Sequence, residues 1–347
     1  MNHWPRNALL VLVTIAMMPP AHAGAQTTLS DPSIRFTVPT SPYVVLKRGP
    51  IEAVIVDNRA VNDSVLKGHR ARYSGVASLK HEARSENLFV PAYAGLNFEH
   101  IHDGTTQANE ILYEPRNVPM ELRVIDQDTV ELYQKPTPHW GLESCQRYHL
   151  LEDGTIELSI ECVPRKAAFK NGYVGLFWAS YIHQPESLEI RFLGHPEGAD
   201  RAPRWVRASS PRHGVDATHL ASAADERAFT HDQDFPMKLI FTRSRWRFSE
   251  PWYFGTSHGM AFAQLFRTGD GVRFSQSPSG GGDGNPAWDF QFFISDYKVD
   301  QLYRFVMRAR YAPVEKPDDL RRSVERHLHA LEAEPLKRQP ATTRVVR

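Results

Sequence analysis

The chain lacks an excess of charge of either sign: 41 Lys and Arg stand against 40 Asp and Glu in 347 residues, a formal net charge of +1. A protein that binds nucleic acid electrostatically carries a basic surplus, so that class is set aside. Beyond residue 23 no apolar run reaches the roughly 20 residues that a membrane-spanning helix needs. No Gly-Lys-Ser or Gly-Lys-Thr follows the glycines at 280–282, so that loop lacks the lysine of a phosphate-binding loop. Regular strand–helix alternation is missing, which argues against a doubly wound parallel sheet. No internal repeat is present, and no helical periodicity is sustained over ten residues between 24 and 313.

What is present begins with an address. Arg6, the apolar run at 8–18 and Ala21-His22-Ala23 match the charged start, apolar middle and small-residue cleavage site of a secretory leader. No cysteine follows the cut, so a lipid anchor is not expected. The expectation is a leader at 1–23 and a secreted or periplasmic mature chain without a transmembrane segment.

The body reads as strands. Runs rich in β-branched and aromatic residues occur at 34–38, 43–47, 51–57, 122–125, 130–134, 173–182, 188–193, 237–241, 261–266 and 302–311, with Pro and Gly between them. So many short strands favour large antiparallel sheets packed face to face. The reading is an all-β sandwich over 24–315, with polar surface insertions at 59–86 and 197–234. A helix is expected over 316–334, with Pro317 at its first position, Asp318 and Asp319 at its positive end, and Leu320, Val324, Leu328 and Leu331 on one face. A disordered basic tail is expected at 335–347.

The two cysteines flank Asp153-Gly154, the preferred pair for a two-residue type I′ hairpin turn. Such a turn pairs Glu152 with Thr155 and puts Cys145 opposite Cys162 at a non-hydrogen-bonded position. In an oxidising compartment that register predicts a Cys145–Cys162 disulfide; the alternative is two free buried thiols.

Three stretches carry candidate chemistry. Residues 271–297 run from a strand through a loop with three consecutive glycines, then through Asn285-Pro286 into an aromatic strand. Gln276, Trp288, Asp289 and Gln291 flank that loop, and an indole face beside a carboxylate and amides suits a sugar ring. The plain alternative is a long hairpin loop with a core tryptophan behind it. Strand alternation lets Trp288 and Asp289 share a cleft only if the strand begins irregularly after Pro286. In residues 95–104, His100 and His102 fall on one face of an extended segment, suited to a metal, to acid–base work or to a structural pair. No cofactor is required by the sequence; a divalent metal at His100 and His102 is the one candidate. Gly255-Thr256-Ser257-His258-Gly259 matches the G-x-S-x-G elbow, but its parallel sheet is missing and only His327 and His329 follow. His258 is the more interesting residue there, while His213 and His219 read as solvated. Arg116 and Arg147 suit a uronic carboxylate or a catalytic acid, or else form plain ion pairs.

Tyr148-x-Leu150, Asp153-Gly154-x-Ile156-x-Leu158, Asn171-Gly172-Tyr173 and the aromatic strand Leu176-Phe177-Trp178-Ala179-Ser180-Tyr181 together resemble the middle of the galactose-mutarotase-like β-supersandwich. Gln276-Ser277-Pro278 and Asn285-Pro286 are similar to that superfamily's late Glu-x-Gln, Pro and Asn segment. The resemblance spans residues 34–313 and implies the fold. It does not carry over the epimerase site. Where the epimerases have an Asn-His pair this chain has Trp178 and Ala179, with His183 only at the strand's end. Phe274 stands where they have a catalytic Glu. The superfamily also includes lyase and hydrolase domains, so the reaction is left open.

The expected function is action on an oligo- or polysaccharide, by hydrolysis or elimination. Hydrolysis would pair Glu99 or Glu143 with Asp289. Elimination from a uronate would use His100 or His102 as base, with an Arg or a metal on the carboxylate. Arg116, Arg147, Tyr148, Trp178, His183, His258, Gln276, Trp288 and Gln291 are the candidates for holding the substrate. A non-catalytic periplasmic carbohydrate-binding protein and a sugar epimerase are the alternatives.

Overall fold

The computed structural model describes residues 26–198, 202–222, 229–313 and 316–333. The expected leader at 1–23 and tail at 335–347 lie outside the described residues.

Strands β1 (Tyr43–Arg48), β2 (Ile51–Val56) and β3 (Gly75–His81) form a small antiparallel sheet. A 15-stranded sheet takes the rest. Its members in the first half of the chain are β4 (Asn97–His102), β5 (Met120–Val124), β6 (Thr129–Gln134), β7 (Leu142–Leu150), β8 (Ile156–Pro164) and β9 (Tyr173–Ala179). Next come β10 (Ile190–Pro196), β11 (Arg204–Ala208), β12 (Thr218–Ala221), β13 (Arg243–Phe248) and β14 (Trp252–Ser257). The last four are β15 (Met260–Phe266), β16 (Arg273–Ser277), β17 (Ala287–Ser295) and β18 (Tyr303–Pro313).

The sheet runs β4-β9-β17-β16-β12-β13-β10 and continues β14-β15-β18-β8-β7-β6-β5, with β11 beside β10. Its pairs are antiparallel apart from β12 with β13. The two halves meet face to face. The Tyr253 hydroxyl on β14 donates to the Asp289 carbonyl on β17 (2.8 Å), and the Trp178 indole on β9 donates to the Gln146 side chain on β7 (2.9 Å). Phe292 on β17 stacks on Phe305 of β18 with centroids 4.3 Å apart. The expected sandwich is therefore one sheet doubled over an aromatic core. Helix α1 (Asn109–Leu112) and helix α2 (Glu114–Asn117) are single turns before β5. Helix α3 (Pro317–Ala333) buries Leu320, Val324 and Leu331 against Trp252, Phe254, Ala261 and Val306 on the outer face of the second half. Its apolar stripe is the reason it forms and docks.

Four local expectations change. Residues 34–38 supply only one bridge, Thr37 to Val124. Residues 237–241 contain a 3₁₀ turn at Lys238–Ile240, where the buried Thr218 hydroxyl donates to the Leu239 carbonyl at 2.6 Å and holds that backbone out of any ladder. The supposed insertions supply β3, β11 and β12; their polar residues Ser78, Thr218 and His219 are buried rather than exposed.

The fourth concerns the cysteines. Gly154 (φ +80°) follows a turn in which its N–H bonds the Leu151 carbonyl, and Leu151 N–H bonds the Thr155 carbonyl (both 2.8 Å). This is a three-residue loop with a glycine bulge, one residue longer than the type I′ form. The register moves with it: Ser144 faces Cys162, and Cys145 faces Glu161. A one-residue slip turns every side chain to the other face. The expected disulfide does not form, and both thiols are free and buried, Cys162 in the core and Cys145 beneath Thr28.

Candidate functional site

Alternation along β9, β17 and β16 sorts the expected site residues onto two faces. Trp178, Trp288 and Gln276 point into the core between the sheet halves. The Trp178 ring lies between Phe98 (4.5 Å) and Phe290 (5.4 Å). Trp288 is wholly buried, packed on Gly255, where a Cβ would stand 2.3 Å from the indole. Gln276 contacts buried His219 at 3.0 Å. Gln276 pairs with Trp288 and Ser275 with Asp289 in unbroken register, so the strand enters regularly after Pro286. Asp289 and Gln291 accordingly take the opposite face, together with Phe177, Ser275 and Ser277. The glycine-rich loop lies against that face: Gly280 has no room for a Cβ, which would fall 2.5 Å from Ala287.

The same face receives β4 at the sheet edge. Phe98 faces Trp178 and His100 faces Phe177, with Glu99 as the extra residue of a bulge between them. The bulge turns both Glu99 and His100 away from the core. One Glu99 oxygen takes Arg116 at 2.9 Å, and the other takes the Tyr181 hydroxyl at 2.6 Å. Helix α2 carries Arg116, whose guanidinium lies 4.0 Å over the Tyr73 ring and 4.9 Å from that of Tyr113, while its Nε donates to the Arg72 carbonyl at 2.7 Å. Tyr93 packs between Tyr73 and Tyr181, with centroids at 4.4 and 5.1 Å.

Asp289 has a different environment. Its carboxyl accepts the Ser180 N–H at 3.1 Å. Burial holds it well above the usual carboxylate range, and the negative charge of Glu99 adds to the shift. Burial also raises Glu99, but Arg116 and Tyr181 oppose the rise. β4 and β17 are separated only by β9, so their backbones stand roughly 10 Å apart. Two carboxyl groups thus share one face, both raised by burial, with an arginine and a tyrosine hydroxyl opposing the rise at Glu99 and one backbone N–H opposing it at Asp289.

His100 and His102 lie on this face but are enclosed. The His100 ring meets Tyr113 at 4.2 Å and Phe177 at 5.4 Å, and burial with Arg116 nearby lowers its pKa well below the usual value. His102 sits among Tyr173, Phe235, Phe241 and Phe293, directly over Gly175, and neither ring nitrogen has a hydrogen-bond partner among the described residues. Burial takes its pKa down to about 3. Among the described residues no group of three His, Cys, Asp or Glu converges to hold a metal, so this pair has no third ligand.

Several expected site residues stand elsewhere. Glu143 binds the Tyr133 hydroxyl (2.6 Å) and Arg165 (2.6 Å). Arg147 is locked to Glu131 at 2.6 Å beneath Thr28. Tyr148 is a core residue donating to the Leu96 carbonyl at 3.1 Å. His183 follows β9, its backbone bonded to Leu88. His258 (φ +54°) and Gly259 (φ +78°) turn the β14–β15 hairpin, with Ser257 opposite Met260 and Glu186 on the His258 N–H at 2.6 Å. The G-x-S-x-G match is therefore a two-residue hairpin turn and not a nucleophile elbow.

The structure adds Tyr73, Tyr93, Tyr113, Tyr181 and His213 to the face. Tyr73, Tyr93 and Tyr113 come from separate loops and Tyr181 from a bridge just past β9, and no spacing in the sequence joins them. Exposed His213 reaches the Ser277 hydroxyl with its Nδ1 at 2.9 Å.

No protein-family model and no curated protein sequence matches the chain. Among solved structures it is similar to a putative aldose 1-epimerase from Escherichia coli, at 8% identity and TM-score 0.43, covering 78% of this chain and 99% of that one. It is also similar to an α-N-acetylgalactosaminidase from Bifidobacterium bifidum, at 10% identity and TM-score 0.45, covering 83% of this chain and 39% of that one. A heparan sulfate lyase from Pedobacter heparinus matches at 10% identity and TM-score 0.35, covering 81% of this chain and 38% of that one. The chain's own strand pairing gives a mostly antiparallel β-sandwich.

Proposed function

We propose that this chain is an exported enzyme acting on a carbohydrate at the face carrying Glu99 and Asp289. The observation that supports it most is the unequal support of two buried carboxyl groups on one face. Asp289, kept neutral by burial, gives its proton to the glycosidic oxygen as the bond from that oxygen to the anomeric carbon breaks. Glu99, whose anionic form Arg116 and Tyr181 support against the effect of burial, stabilises the positive charge that develops on the sugar or draws the proton from an attacking water. The half-buried Tyr73, Tyr93 and Tyr113 rings supply apolar surface beside that pair. His100 and His102 serve in this reading as packing for the site rather than as its base.

The test is a glycan screen of the purified protein with reducing-end and unsaturated-product readouts, repeated with Glu99→Gln and Asp289→Asn. Either substitution is expected to lower turnover by about 10²–10⁴-fold. Folded variants with full turnover would overturn the assignment, as would an unsaturated product, which requires elimination.

A further inference from the structure

Strands β10, β11 and β13 carry one, two and three arginines and no acidic residue, in a chain whose formal net charge is only +1. Arg191 on β10 faces Arg207 on β11, and Arg243, Arg245 and Arg247 take alternate positions on β13, with Arg247 facing His195. Ladder partners and alternate residues share a face, so these five arginines lie together, roughly 6.7 Å apart along β13 and about 4.8 Å apart between strands. It is the face turned from the core, because Phe192, Val206 and Phe248, one residue out of phase, belong to the core. Arg204, Arg207, Arg243 and Arg245 are exposed. Arg204 and Arg245 both lie against the Trp246 ring, at 5.6 and 5.1 Å from its centroid, a contact that helps to fix their positions.

Pairing sets this strip apart from the other strands. Each arginine of β1, β5, β7 and β18 meets a carboxylate. On the strip Arg207 pairs with Glu189 and Arg247 with Glu197, whereas Arg191, Arg204, Arg243 and Arg245 have no carboxylate partner among the described residues. Like charges opposite one another destabilise a sheet, and the two glutamates offset that repulsion at two of the arginines only. The arrangement therefore suits an anion from outside. That anion has to be extended and multiply charged, because the guanidinium groups spread over three strands instead of converging on a point.

We infer that the outer face of β10, β11 and β13 is a binding surface for an acidic polysaccharide, whose carboxylate or sulfate groups the unpaired arginines take. Guanidinium forks match such groups two bonds at a time. A single-stranded nucleic acid fits less well, because its bases need ring platforms. Trp205 is turned edge-to-face onto Trp252 and Phe254 with its N–H on Asp318, and two arginines occupy Trp246. The choice of a saccharide rests on the carbohydrate reading above. The surface itself is separate: β12 and β16 stand between β13 and the β17 strand of Asp289, roughly 14 Å across the sheet, and binding there needs no turnover.

The experiment is isothermal titration of the purified protein at low salt with polygalacturonate, dextran sulfate, neutral dextran and a single-stranded oligonucleotide. One or both acidic polysaccharides should bind, the tighter naming the acid, and neutral dextran should not bind at this strip. Arg243→Gln combined with Arg245→Gln should weaken that binding about tenfold or more, since two charge-assisted contacts are lost. Its melting temperature should hold or rise, because a like-charge repulsion is relieved. Arg204→Gln should also weaken binding, from another strand. Lys47→Gln with Lys80→Gln makes the same change in net charge on the small sheet and should bind as the wild type does. A folded double arginine variant with unchanged affinity overturns the inference, as do equal losses in the lysine variant, an oligonucleotide bound as tightly as the polysaccharides, or no binding of either acidic polymer. Glu99→Gln should bind unchanged. Binding without turnover of any glycan would keep this surface and remove the enzyme reading; turnover without binding of either acidic polymer would do the reverse.

Discussion

Tyr181 gives its phenolic hydrogen to the same carboxylate that takes Arg116 on its other oxygen, at 2.6 and 2.9 Å. Burial and the charge of Glu99 hold the Tyr181 hydroxyl protonated far above neutrality, so the bond has a fixed direction. Tyr181→Phe should therefore leave Glu99 with one fewer donor and raise its pKa further. On a processed substrate, the pH at which the basic form of Glu99 appears should move upward with kcat, and a profile identical to wild type would remove Tyr181 from the site.

Asp289 makes a stability prediction whose sign is opposite to that of an ordinary carboxylate. Its folded pKa is raised, so its contribution is complete below the unfolded value of about 3.9 and is lost as pH rises through the folded pKa. Asp289→Asn does not titrate. The variant should thus gain in melting temperature relative to wild type between pH 5 and pH 8, with the gap widening upward. A constant gap would mean that Asp289 is ionised throughout.

His102 predicts the reverse slope. Its pKa falls to about 3, so stability is complete above about 6.5 and declines as pH drops toward 3. His102→Phe fills the same aromatic box with a ring that cannot take a proton. Chemical denaturation at pH 7 and pH 4 should show a smaller acid loss in the variant. Buried His69 and His219, lowered to about 4 and about 3, leave the remaining slope.

Trp288→Ala should be a stability mutation. The indole fills core space against Gly255, and loss of a buried tryptophan costs about 3–5 kcal/mol. A folded variant with unchanged melting temperature and weakened glycan binding would return Trp288 to the ligand.

The thiols can be counted directly. Protein denatured without reductant should take up two equivalents of alkylating agent, whereas the native protein should react slowly because Cys145 and Cys162 are buried. Peptides linked through the two cysteines would contradict the register found here.

The fold was legible where patterning is local. The stripe of Leu320, Val324 and Leu331 and the density of short β-branched runs are enough for a terminal helix on a β-sandwich. Register was less so, because Asp153-Gly154 serves two loop lengths and nothing in the dipeptide chooses between them. The choice came from the glycine bulge at Gly154, and it separated the cysteines. On the site, Glu99, Asp289, Arg116 and Gln291 could be named from their neighbourhoods. Which face each takes depends on the strand's phase, and one residue of phase separates Trp288 in the core from Asp289 on the polar face. Tyr73, Tyr93 and His213 lie on loops that only the folded chain brings together, so no sequence window contains them.

The bulge at Glu99 has a consequence for how such a site can come and go. Phe98 already faces Trp178 and His100 already faces Phe177, so the residue between them is supernumerary to the ladder. Deleting Glu99 alone would leave both pairs in phase and yield an unbroken edge strand without the carboxylate. Gain or loss of one codon is then enough to add or remove a carboxylate on this face while the ladder stays in phase. Among relatives, the count of residues between the positions of Asn97 and His102 becomes a ruler: chains one residue shorter there would keep the sandwich and lack the carboxyl group.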